Sequence, residues 1–369
     1  MVAMENTLNN LNVVEIDPTK AKLISRRKLF TLPQWAVAWL VLVPALIFIT
    51  MFMLYPILNT FLYAFMQDFK YTSGAGSFAL GQFLSGLFAD SPKNPAFFLQ
   101  FSFGFNNFAK AFRSDDFLKS IANTSILVIV EVPLTIMVSL LIATFLNNIK
   151  VLKGFYQTVF FLPYVTNTIA LGLIFHLAFA QGKGGLVNIF LQKVFHKDPI
   201  NWLDYVNTTP GGPPATRFHQ GVVIVLYSLW NGIAFKILVF MSGLATIDSQ
   251  YYNAAKIDGA SNFTIWRRIT LPLLSPQILY ITITSFIGAF KMYTGVMAVY
   301  QGADAGSYYF GGEKGSDWIP VVGWIYRELK NADRTLDPTV ACAASLVLLG
   351  IIMVITALQF AVSKKRVHY

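Results

Sequence analysis

Along this chain, apolar and polar residues are sorted into long blocks. Residues 35–66, 121–146, 155–180, 221–244, 277–299 and 339–362 are almost wholly apolar. Each run is near or above the roughly 20 residues a helix needs to cross a bilayer. The pattern predicts an all-α membrane protein with about six transmembrane helices. The first run is overlong and carries Pro44 and Pro56, which predicts a tilted, kinked or extended helix. Pro133 and Pro163 are expected to kink the second and third runs, with neighbouring groups satisfying the carbonyls that proline frees. No internal repeat stands out, so one membrane domain (35–369) after a polar amino-terminal segment (1–34) is the simplest organisation.

Charge refines this picture. Of the 369 residues, 55% are hydrophobic and only 12% charged, against about 25% charged in soluble domains. The net charge of +10 does not gather into a basic patch interleaved with aromatics, which argues against nucleic acid as a partner and for membrane lipid. Basic residues cluster at Lys20 to Lys28, at Lys150 and Lys153, at Lys256, Arg267 and Arg268, and at Lys364 to Arg366. All fall on one side of the predicted spans. By the positive-inside rule that side is the cytoplasm, with both termini there. The three longer connections, 67–120, 181–220 and 300–338, then lie outside. The amino terminus does not read as a cleavable signal, because the apolar run after its basic cluster is far longer than a signal's ~7–15 residues. The one cysteine, Cys342, excludes an intramolecular disulfide.

The most specific stretch is the polar insert between the fourth and fifth runs, within residues 246–275. Asp248 is placed to cap a short helix that begins at Ser249. Ala254 and Ala255 are small and helix-favouring and give that helix a smooth surface. After Asp258, Gly259 can take the left-handed conformation that ends a helix, and Ala260 follows. Ser261 is placed to cap a second helix, in which Ile265, Trp266 and Ile269 share a face with Phe263 at its edge. Arg267 and Arg268 point to the other side. Leu271-Pro272 is expected to stop this helix, and Ser275-Pro276 reads as a cap plus first-turn proline opening the fifth span.

The order A-A, D-G-A, aromatic, I-T-L-P resembles the cytoplasmic coupling loop of permease subunits in bacterial ABC importers. Within that group it is most similar to the carbohydrate-type permeases related to the larger maltose-transporter channel subunit. Phe105-Asn106-Asn107-Phe108, Phe160-Phe161-Leu162-Pro163, Asn201-Trp202-Leu203, Leu229-Trp230 and Gly243-Leu244 resemble the same family at corresponding places. One departure is Asn253, where the family usually has a glutamate that pairs with the ATPase. Asparagine loses the charge-assisted bond, which is about twice as strong as a neutral one, so Asp258 and packing would carry more of the contact. The resemblance implies a permease in the bacterial inner membrane that pairs with a second, smaller permease. An external solute-binding protein would deliver a sugar, and an ATPase dimer would bind ATP and magnesium. No cofactor is expected in this chain.

Three ionisable residues fall inside apolar runs: Glu131, Lys236 and Lys291. Such residues usually pair or line a path. Lys236, near the end of its run, reads first as a snorkelling residue. Lys291 lies deeper. With Ser228, Asn231, Ser285 and Tyr293 it would form a polar strip for a hydroxylated solute, and its charge raises the option of an acidic one such as a uronate or phosphorylated sugar. By resemblance, the fourth and fifth runs face the pathway and Ser285 matches a polar pathway position. Positions polar in the family are Gly288, Ala289 and Met292 here. His176 reads as a hydrogen-bonded span residue.

Two other functional classes are weighed against this one. An ion-coupled secondary transporter or channel usually carries several intramembrane carboxylates or paired broken helices, whereas Glu131 is alone. A membrane-embedded metalloenzyme would need clustered ligands, but His176, His196, His219 and His368 are scattered and no H-E-x-x-H occurs. No G-x-x-x-x-G-K-[ST] loop is present either, and the glycine-rich 306–315 segment lacks that spacing. The chain is therefore expected not to be an enzyme, with ATP hydrolysed by another subunit.

Overall fold

Backbone amides and carbonyls inside an apolar run have no water to bond, so helix is the state that satisfies them all. A computed structural model describes residues 33–67, 103–149, 151–180, 184–203, 216–301, 318–335 and 338–363, and among them every named element is helical. The expectations placed on the amino-terminal basic cluster, Lys150, the 306–315 segment and the carboxy-terminal tail lie outside the described residues. The chain divides into two compact units, Met1–Ile57 and Leu58–Tyr369.

The first unit contains α1 (Gln34–Ile49) and a π turn (Thr50–Leu54), and α2 (Tyr55–Phe65) begins at its end and belongs from Leu58 onward to the second. The first unit exposes a largely apolar surface, with Leu40, Val41 and Phe52 each more than 60% accessible. The π turn explains how Pro56 is tolerated without a break. The Tyr55 amide donates to the Thr50 carbonyl, five residues back, and this widened turn gives the proline ring room where an α turn would clash.

In the second unit, α3 (Asn106–Arg113) leads into α4 (Asp115–Asn148), whose N-cap Ser114 accepts from the Phe117 amide. Asn107 is fully buried and donates to the carbonyls of Ala64 (3.2 Å) and Met66 (2.7 Å), anchoring the approach to α4. Next come α5 (Lys153–Val165), α6 (Thr168–Ala178), α7 (Leu186–Phe195) and α8 (Arg217–Ala245). Then follow α9 (Ser249–Ile257), α10 (Asn262–Ile265), a π turn (Trp266–Thr270) and α11 (Leu271–Leu273). The chain closes with α12 (Ser275–Phe290), α13 (Thr294–Gln301), α14 (Val321–Thr335) and α15 (Thr339–Ser363).

By length and composition, Trp35–Phe65, Asp115–Asn148, Arg217–Ala245 and Thr339–Ser363 are each long and apolar enough to cross a membrane. Two bent pairs bring the total to six if each pair is one span. The third and fifth runs differ from the sequence expectation. The third run is not merely kinked at Pro163. It breaks by 96° between Val165 and Thr168, because Asn167 caps a new helix by accepting from the amides of Ile169 (2.8 Å) and Ala170 (3.4 Å). The fifth run ends at Phe290 and restarts at Thr294, so Lys291 stands at a helix terminus and not mid-span. The long connections also hold helices α3, α7 and α14, which periodicity over short segments did not reveal.

The packing is centred on α4 and α8, which lie against each other, with α5 and α12 flanking them. One end is tied together by side chains. The Arg217 guanidinium donates to the Asn123 amide oxygen and stacks over Trp318 at 5.3 Å. Trp318 Nε1 donates to the Arg217 carbonyl (2.7 Å), Thr124 accepts from the Val321 amide (2.9 Å), and Arg327 pairs with Asp116 (2.8 Å). Beside Arg327, burial holds the Glu328 carboxyl above the usual carboxylate range against the attraction of that arginine.

Helices α6 and α13 pack closely because Gly172 has no side chain. A Cβ there would sit 2.4 Å from that of Ala298. Gly172→Val is therefore expected to destabilise the protein by about 1–3 kcal/mol, the usual cost of overpacking. Thermal unfolding in detergent measures this, and an unchanged midpoint would show that the two helices do not meet this closely.

Candidate functional site

The breaks between α5 and α6 and between α12 and α13 open onto one cavity of about 570 Å³ against α4 and α8. The pathway and intramembrane-charge residues singled out from the sequence all lie on it: Glu131, Ser228, Asn231, Lys236, Ser285, Lys291 and Tyr293. Sequence reasoning missed Tyr164, Thr166, Thr168, Tyr227, Thr284 and Thr294, which also line it. Four of these sit at or beside the helix breaks. The Thr-Asn-Thr triplet at 166–168, with its capping asparagine inside an apolar run, was the available signal.

Local geometry sets the positions of these groups. Tyr227 is buried and donates to the Thr168 carbonyl (3.2 Å), while its ring lies over Gly295, where a Cβ would come within 2.3 Å of the hydroxyl oxygen. Ser228 donates to the Met292 sulfur (3.4 Å). Tyr164 and Phe235 stack at 5.9 Å. His176 donates from Nδ1 to the Val299 carbonyl (2.8 Å), the structural role expected of it.

Lys236 does not snorkel. It is only 7% exposed, and its ammonium donates to the Gly232 carbonyl (3.4 Å) in space that Gly232 leaves empty. Glu131, equally buried, lies close enough for its charge to act on Lys236 without touching it, and its Oε2 has no hydrogen-bond partner. Lys291 follows the last turn of α12, where its amide bonds to the Gly288 carbonyl (3.1 Å). A lysine suits the negative end of a helix dipole, and here its side chain is also exposed to the cavity.

The second candidate feature is the polar hairpin. Asp248 caps α9 by accepting from the Gln250 amide (2.9 Å). Gly259 lies at φ +73°. Its amide donates to Lys256 and that of Ala260 to Ala255 (2.9 Å), the two bonds of a Schellman closure. Ser261 accepts from the Thr264 amide and caps α10. Ile265 is buried, Trp266 and Ile269 are half-buried, and Arg267 and Arg268 are exposed, as the pattern predicted. Trp266 Nε1 donates to Thr144 (3.3 Å), and Tyr252 bonds with Thr270 (3.3 Å), which ties the hairpin to α4 and joins its two arms.

Two details are corrected. Pro272 does not stop the second arm, because the π turn Trp266–Thr270 accommodates it as the earlier one accommodates Pro56. The helical run continues to Leu273 and bends by 66° into α12. Ser275 is not a cap, and its buried hydroxyl has no partner.

Ala255, Ala260 and Leu271 are half-buried, whereas Asn253, Ala254, Asp258 and Pro272 are exposed. Apolar groups stand out beside them: Ile257 is 86% exposed and Phe263 is 67% exposed. A rigid, doubly capped hairpin with a bare apolar edge is suited to binding another protein.

Comparison with known proteins gives these features a context. The family model described as "Binding-protein-dependent transport system inner membrane component" matches residues 110–368. The lactose transport system permease protein LacF of Rhizobium radiobacter is 30% identical over 331 residues, covering 89% of this chain and 94% of its own. The arabinooligosaccharides transport system permease protein AraP of Bacillus subtilis is 27% identical over 319 residues, 84% of each chain. In fold, the chain is similar to one in the crystal structure of a bacterial alginate ABC transporter in complex with alginate pentasaccharide-bound periplasmic protein. The TM-score is 0.67 at 17% identity, over 90% of this chain and 95% of that one.

Proposed function

Because the chain belongs to the family of binding-protein-dependent transport system inner membrane components, we propose that it moves a sugar or oligosaccharide by alternating access as one permease of an ATP-driven importer. The observation that carries the sugar reading is the cavity. Hydroxyls of Ser228, Thr284, Ser285 and Tyr293 and the Asn231 amide line it together with the Tyr164–Phe235 stack. Polyhydroxylated solutes are bound by just such hydrogen-bonding groups and aromatic faces in an otherwise apolar site. The relatives that transport lactose and arabinooligosaccharides support the same class.

The hairpin around Gly259 is the contact for a separate ATPase dimer, which binds ATP and magnesium; this chain carries no cofactor. Asn253, Ala254, Asp258 and Phe263 present the surface, and Gly259 fixes the angle between the arms. A second permease completes the pathway, and an external solute-binding protein delivers the substrate. The chain lies in the cytoplasmic membrane with both termini in the cytoplasm, an orientation supported by the basic residues of the hairpin.

Purification through a tag on this chain, with mass spectrometry of the proteins that follow it, is expected to yield an ATPase and a second permease. Proteoliposomes holding that assembly and its binding protein are expected to accumulate sugar only with ATP. Uptake by this chain alone, without ATP, would reverse the conclusion in favour of a secondary carrier.

A further inference from the structure

The cavity carries more positive than negative charge, and the surplus is exposed. Glu131 and Lys236 are both buried and act on each other, so one carboxylate offsets one ammonium. Among the described residues, Lys291 has no such counter-charge. It is exposed on the cavity wall and takes part in neither of the ion pairs found among the described residues. An ammonium held within an apolar run is retained where it lines a path or meets an opposite charge.

Two further features sharpen the chemistry. Helices α6 and α13 both begin at this cavity, which is lined by their first residues, Thr168 and Thr294. At α6 the Asn167 side chain already accepts from the amides of Ile169 and Ala170, so of the two it is the start of α13 that favours a negative group. Glu131 Oε2, nine-tenths buried on the same cavity, has no hydrogen-bond partner, so it can accept from a hydroxyl. A ligand that suits all three carries both hydroxyls and a negative charge.

We propose that this cavity receives an acidic saccharide, a sugar bearing a carboxylate or a phosphate, with Lys291 meeting the anionic group and Glu131 accepting from a sugar hydroxyl. The proposal rests on the importer reading and narrows its substrate class. The charge on Lys291 makes the contact sensitive to salt, since an exposed ammonium is screened over a Debye length of about 8 Å at physiological ionic strength.

The test uses the complete purified complex, without nucleotide, at low ionic strength. Its melting temperature is followed against trigalacturonate, glucose 6-phosphate and neutral maltotriose. At least one acidic probe is expected to raise the midpoint in a salt-sensitive way, and which one does so separates carboxylate from phosphate. Maltotriose is expected to have a weaker effect. Lys291→Gln is expected to weaken the acidic probe at least tenfold and to leave maltotriose unchanged, whereas Lys291→Arg retains binding. Lys291 is exposed, so the ligand-free midpoint of either variant should match that of the parent. Equal binding of the neutral probe, no response to either acidic probe, or full acidic binding by Lys291→Gln would overturn the proposal. Failure of the importer reading shows separately, as purification without an ATPase.

Discussion

Gly259→Pro is expected to abolish ATP-driven uptake while leaving the protein inserted and folded. Gly259 sits at φ +73° between α9 and α10, whereas proline is locked near −65°. The substitution also deletes the amide that donates to the Lys256 carbonyl at 3.1 Å. The second closing bond, from Ala260 to Ala255, depends on the same turn and is lost with it. Space is not at issue, because nothing lies within 4 Å of the position a Cβ would take. The effect is therefore conformational and local: the two arms lose their fixed angle while the spans keep their packing. Gly259→Ala is the graded control, since a left-handed alanine costs only about 1–2 kcal/mol. Uptake and ATP hydrolysis measured together in proteoliposomes should show more than a tenfold loss of uptake for proline, a smaller loss for alanine, and hydrolysis no longer linked to transport. Normal uptake with proline at this position would sink the mechanical role of the hairpin.

How much of this was legible in the chain depended on scale. Block hydropathy located all six apolar runs, because the need for about 20 apolar residues leaves little freedom. The caps of the hairpin were readable as well, since Asp248, Gly259 and Ser261 each do what their side chains dictate locally. The broken spans were not. Averaged over the length of a span, the run still passes as apolar, so the polar Thr166-Asn167-Thr168 triplet is diluted. The Asn167 cap starts the new helix locally, and tertiary packing fixes its direction: α6 turns away to pack Gly172 on Ala298 and His176 on Val299. Lys291 was the readable hint at the break between α12 and α13, because a charge amid apolar residues can mark a helix end as well as a buried pair. Glu131 shows why that hint is ambiguous, since α4 passes through it without interruption. The π turns before Pro56 and Pro272 leave no mark in the sequence beyond the prolines themselves, whose survival inside a helix they explain. For the cavity, the polar residues were found one by one, but their convergence on a single volume follows from the two breaks.

Glu131 and Lys236 provide the second large effect, and its sign depends on whether one or both are changed. Each is 7% exposed, on α4 and α8 respectively, the pair of helices at the centre of the fold. Glu131→Gln leaves the Lys236 ammonium buried without its counter-charge, and Lys236→Met leaves the carboxylate in the same position. Breaking a buried pair from one side costs about 3–5 kcal/mol, because the remaining charge has lost both water and partner. Replacing both with neutral groups of similar size removes that penalty, and such replacements are often neutral or stabilising. The single variants are therefore expected to melt well below the parent, and the double variant to recover most of the loss. The interaction energy from the four midpoints should exceed 1 kcal/mol, since groups that share a site depart from additivity. Additive effects in the cycle would mean that the two charges do not stabilise each other and that each is held by the cavity independently. If the double variant regains stability but not uptake, the pair acts on the solute and not only on the scaffold. Glu131 is the better placed of the two for that role, because its Oε2 still has an acceptor site to offer.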